Sequence, residues 1–222
     1  TETVDIAELN GVRQALRDAG AQVAGVLLAT SRMALTDDNA RQDMAELLQL
    51  ASSLPPGDLV QQAAARLGTR LAEGPGLDPN TDILRDLRSA RFLLAQSAPL
   101  GLDGIGGGNQ GFVVLAGGRV PLMPSSRDFF LPLITSLNQS GRPVAAGEAE
   151  DNVDQFVTLV RQDAALAARV VTVDDADSMP GRVALVLGLE RLYQGDLAGC
   201  HSFGVKPGAC GLLPQAAASP SP

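Results

Sequence analysis

Residues 143–174 read PVAAGEAEDNVDQFVTLVRQDAALAARVVTVD, and how that stretch divides decides the fold. Its opening, Pro143-Val144-Ala145-Ala146, is a short apolar run that predicts a strand. Residues 153–167 predict a helix, and the β-branched run over residues 169–174 predicts a second strand. Strand, helix, strand is a β-α-β unit, which implies a parallel sheet covered by helices.

The same alternation continues on both sides. Residues 112–116 (FVVLA) predict a strand and residues 125–139 a helix after Pro124. Residues 181–193 predict a last helix, apolar nearly all round and so expected to be buried. Near the start, Ile6, Leu9, Val12, Ala15, Leu16 and Ala19 fall at helical spacing, with Thr3 or Asp5 as the cap and Gly20 as the stop. Residues 22–30 (QVAGVLLAT) predict a buried strand. Helices are expected over residues 39–51 behind Thr36-Asp37-Asp38, then over 58–72 and 81–96, with Pro55-Pro56-Gly57 and Gly74-Pro75-Gly76 as breaks.

The expected architecture is one α/β domain over residues 1–214, a three-layer α/β/α body with a mostly parallel, Rossmann-like or flavodoxin-like sheet. A strandless helical subdomain at about residues 38–98 is inserted in its amino-terminal half. Residues 215–222 (QAAASPSP) are expected to be a disordered tail. One feature conflicts with this scheme. Such folds usually open on a strand and this chain opens on a helix, so the first strand is expected upstream.

Composition narrows the function. The chain has 222 residues and a formal net charge of −8, with 45% hydrophobic and 19% charged residues. That suits a globular body with a real core. Aromatic residues make up only 3%, so Leu, Val and Ala must build that core. An acidic chain without a basic stripe is a poor nucleic-acid partner. The single histidine, His201, excludes any multi-histidine metal site and leaves only one base for a nucleophilic triad. No apolar run approaches the ~20 residues needed to span a bilayer, and the acidic start is not a secretory signal.

Four features carry possible chemistry. Gly106-Gly107-Gly108-Asn109-Gln110-Gly111 satisfies G-x-G-x-x-G, but it precedes a strand where a phosphate cradle must follow one and open a helix, so a flexible connection is expected. Gly117 and Gly118 stand at a strand's carboxyl end, where open α/β sheets bind ligands, and are candidate ligand-binding residues beside the simpler reading of a turn. Asp174, Asp175 and Asp177 offer oxygens for a hard cation, or a cap and turn before the last helix. Cys200 and Cys210, the only cysteines, flank a Gly/Pro-rich loop and suit a disulfide, which implies an oxidising compartment. The rival reading makes Cys200, His201 and Cys210 soft ligands for Cu(I). No catalytic constellation is evident, no cofactor is expected apart from copper, and the expectation is a non-enzyme.

Taken together, Val171-Thr172-Val173-Asp174-Asp175-Ala176-Asp177 and Pro180-Gly181-Arg182 with the apolar residues 183–187 resemble the "TVDD-x-D…GR" segment of the mycobacterial copper transport protein B (MctB) family. Residues 199–204 (GCHSFG) are a broken match to that family's terminal "GHYG" loop, with Phe203 in the tyrosine's place. Gly117-Gly118 and Asn109-Gln110-Gly111 fit its middle region. The resemblance implies the exported α/β domain of a cell-envelope protein, anchored by an upstream transmembrane segment and a coiled-coil stalk. It implies a role in copper homeostasis or efflux. The alternative it carries is a non-catalytic scaffold or cell-division accessory protein that works by dimerisation and by binding envelope partners.

Overall fold

The computed structural model describes residues 6–76, 82–96, 101–117, 125–196 and 199–214. Its centre is a parallel sheet of four strands in sequential order: β3 (Phe112–Leu115), β4 (Val144–Gly147), β5 (Val170–Val173) and β6 (Ser202–Phe203). Val144 pairs with Val170 and Phe112 with Val144, so the β-α-β reading of residues 143–174 holds. Every residue of β4 and β5 is buried, as expected for parallel strands covered on both faces.

Two helical layers provide that cover. On one face lie α3 (Pro56–Glu73), α5 (Leu131–Gln139, opened by a π-helical turn at Ser126–Phe130) and α6 (Phe156–Gln162). Leu67, Leu133, Leu137, Phe156 and Val160 meet Val144 and Val170 there. On the other face α1 (Ile6–Asp18) and α8 (Met179–Tyr193) pack Val12, Leu185 and Leu189 on Ala145, Val171 and Val173. A Cβ at Gly188 would lie 2.6 Å from the Val171 side chain, so glycine lets α8 approach β5 closely. Burial of each such aliphatic side chain contributes about 1.5–3 kcal/mol, and with so few aromatics these contacts dominate the core.

Besides β6, a fourth parallel strand that the sequence reading did not expect after residues 169–174, the sequence-based expectations need four corrections. The stretch between α2 (Asp38–Leu48) and β3 is not strandless. Helix α4 (Ile83–Ser89) stops early and Leu93–Gln96 is a strand, β2. Arg91 takes a left-handed conformation (φ 60°) and Phe92 N–H bonds Leu87 C=O, closing the helix without the glycine or proline that would announce the stop. Second, the strand near the start is only β1 (Val26–Ala29), and it pairs antiparallel with β2 in a separate two-stranded ribbon. Third, the helix over residues 153–167 is two: α6, then α7 (Ala164–Ala167), whose cap is the Asp163 carboxylate accepting from Ala165 and Leu166 N–H. Fourth, α8 is not buried all round: Met179, Val183 and Leu187 are exposed at 77%, 39% and 38%. The expected tail lies outside the described residues.

Candidate functional site

Strands β3, β4 and β5 end level with one another, so the residues that follow them form one edge: Ala116-Gly117, Glu148, and Asp174-Asp175. This is where an open parallel sheet offers a ligand site. Here the chain itself crosses that edge at the ends of β4 and β5. After β6 the backbone turns at Gly204 (φ +123°) and runs back over the edge. The Asp174 carboxylate lies against that glycine, where a Cβ would clash with it, and accepts from Val205 N–H at 2.6 Å and Lys206 N–H at 3.1 Å.

Charges at this edge are paired across long sequence separations. Arg161 of α6 reaches Asp174 at 2.6 Å and also donates to the Thr172 hydroxyl and the Phe203 carbonyl. Lys206, the only lysine in the chain, donates to the fully buried Glu148 at 2.9 Å. Glu148 accepts a further bond from Asn152 at 2.7 Å and one from Val157 N–H at 3.0 Å. Compensated pairs with their hydrogen bonds filled, such as Arg161–Asp174 and Lys206–Glu148, hold structure together.

Cys200 and Cys210 are joined by a disulfide with a Cα–Cα distance of 6.2 Å. Backbone bonds reinforce the loop that it closes: Cys210 N–H to Ser202 C=O, and Gly204 N–H to Gly211 C=O. His201 lies within this loop and is buried, and its carbonyl accepts from Thr172 N–H at 2.7 Å. The sulfurs are therefore not the thiolates that Cu(I) ligation by Cys200, His201 and Cys210 requires, and that ligand set belongs to the reduced chain only.

The three aspartates point in different directions. Asp174 faces Arg161, and Asp177 accepts from Glu150 N–H at 3.1 Å. Asp175 is 4% exposed; its Oδ2 accepts from the Ser178 hydroxyl, and its Oδ1 has no partner among the described residues. Burial pushes the Asp175 carboxyl above the usual aspartate range, and Asp174 and Asp177 push it further against the Ser178 bond. Ser178, rather than an aspartate, caps α8. No group of three or more His, Cys, Asp or Glu residues converges as a metal site among the described residues.

Gly117 is buried at the end of β3, where a Cβ would lie 3.2 Å from Ala149 N, so it packs against the next strand's exit. Gly118 lies outside the described residues. Gly106 and Gly107 pack on the carboxyl end of α3, with Gly107 N–H bonded to Leu71 C=O, the wrong helix end for an anion. Sequence reasoning missed Arg161, Glu148, Asn152 and Lys206. The lone lysine in a loop beside the cysteines was the available signal.

A family model described as "Copper transport outer membrane protein, MctB" matches residues 1–214. The chain belongs to the MctB family. Among its relatives is the copper transporter MctB of Mycobacterium leprae, 27% identical over 227 residues, which cover 94% of this chain and 69% of that protein. The Mycobacterium tuberculosis H37Rv copper transporter MctB is 27% identical over 204 residues, 82% of this chain and 63% of that protein. The chain thus spans under two thirds of some relatives' lengths. The MctB resemblance read from the "TVDD-x-D…GR" segment is borne out, and that segment supplies β5, the turn and the start of α8. No helix of the described residues is long and apolar enough to cross a membrane.

Proposed function

We propose that this chain is the exported α/β body of a membrane-anchored envelope protein that acts in copper homeostasis or efflux by contacts with protein partners, itself included, and not by catalysis. The family match over residues 1–214 carries this reading. Two structural features support it. At the sheet edge that would hold a ligand, residues 204–206 lie against Asp174 and Glu148 after β5 and β4, tied by Arg161–Asp174 and Lys206–Glu148. The disulfide suits an oxidising compartment outside the cytoplasm. Copper is then the cargo of the assembly that this protein serves, and the stapled loop is a structural clamp.

The experiment is a strain deleted for this gene, grown in graded copper, with cell-associated copper measured. The deletion is expected to retain more copper and to regain tolerance when the full-length protein is restored. Unchanged copper content and tolerance in the deletion would overturn the reading.

A further inference from the structure

β1 and β3 both line a cavity of about 380 Å³. Among the described residues β1 pairs only with β2, and β3 only with β4. The Thr30 N–H donates to Phe92 across the ribbon. By the alternation of an antiparallel ladder, Leu27 therefore turns its backbone groups away from β2. The Phe112 and Ala116 N–H groups donate to Pro143 and Gly147, so Val113 and Leu115 turn theirs away from β4. Backbone groups in a half-buried setting such as this need partners.

The cavity is roofed on both faces. Leu9 and Val12 of α1 with Leu189 of α8 close one side, and Leu67 and Leu71 of α3 with Leu133 of α5 close the other. An occupant must therefore offer N–H and C=O groups to left and right and apolar side chains above and below. That describes an extended apolar strand in the plane of the sheet. A lipid chain would satisfy the roofs and leave every backbone group unpaired.

We propose that a β-strand carried by the same polypeptide upstream of Thr1 inserts between β1 and β3 and joins ribbon and sheet into one. Topology selects this source. A strand before α1 makes strand–α1–β1 a β-α-β unit, and its two strands become neighbours. The β3–α5–β4 crossover moves one way along the sheet with α5 on one face. The proposed crossover moves the other way with α1 on the opposite face, so both have the same hand, as parallel crossovers do. The relatives also extend beyond the shared segment, which is 69% and 63% of their lengths.

The test compares amide hydrogen exchange in the 222-residue chain and in the native polypeptide lengthened upstream by about fifteen residues, enough for one strand and its connection. The Leu27, Val113 and Leu115 amides are expected to exchange at least about 100-fold more slowly in the longer chain, with a higher Tm. If the longer chain does not fold, a synthetic peptide of the upstream residues is added to the shorter one, with a scrambled peptide as control. Equal exchange with and without the upstream residues overturns the proposal. So does protection in the short chain that rises with its concentration as a dimer forms, which would make a second copy the occupant. Lipid retained by the longer chain with these amides still exposed overturns it as well.

Discussion

Asp82 and Asp175 are both buried aspartates that titrate in opposite directions, and their neighbours explain why. Burial alone would raise Asp82, but Arg70 binds it through two bonds, at 3.0 and 2.8 Å, and the net effect lowers it. Its contribution to stability is therefore present above the ordinary value of 3.8 and is lost as pH falls through the lower folded value. Asp82→Ala leaves Arg70 buried without its counter-charge and is expected to cost about 3–5 kcal/mol, read from the urea midpoint at pH 7. Asp175 behaves conversely. Its raised pKa means that folding is penalised as pH rises from 3.8 through the folded value. Asp175→Asn is thus expected to raise Tm at pH 7, with the gain closing as pH falls below 3.8. An equal Tm gain at both ends of that range would show that charge is not the cause.

At the scale of elements, the terminal loop is held by a disulfide, a glycine turn and a lysine. Replacing both Cys200 and Cys210 by serine removes a ten-residue sequence separation from covalent closure and is expected to cost about 2–3 kcal/mol. Reduction of the native protein should lower Tm to that of the double variant. Lys206 offers a second readout because it is the chain's only lysine. Its amine should react slowly with an acylating reagent while bonded to Glu148, and several-fold faster in Glu148→Gln, as followed by peptide mapping. What was legible here was local. The cysteine pair and the β5-to-α8 segment could be read from neighbouring residues, and the capping Asp37 of α2 likewise. Lys206 and Glu148 are 58 residues apart, and no periodicity connects them. β2 was hidden for another reason: Arg91 stops α4 in a left-handed turn that sequence reserves for glycine or asparagine.

For the whole molecule, the two-residue β6 was hidden in a Gly-rich loop, whereas β3, β4 and β5 were legible because β-branched and aliphatic runs alternate with helices from residue 112 onward. The amino-terminal half was less so, since β1 and β2 form a ribbon whose pairing spans about 70 residues of mostly helical chain. A strand before α1 was expected from fold logic, and its proposed place is beside the outward backbone groups of Leu27, Val113 and Leu115. The carboxyl-end edge of the sheet is a larger surprise than the fold. Open α/β sheets usually leave it for a ligand, and here the stapled loop occupies it after β4 and β5. The most direct measurement is a Cu(I) competition titration of the purified, oxidised protein against a chromogenic chelator. A clamp predicts that the chelator keeps the metal, with the same curve for the Cys200→Ser, Cys210→Ser variant. One equivalent of Cu(I) withheld by the oxidised native chain, and released in that variant, would contradict it.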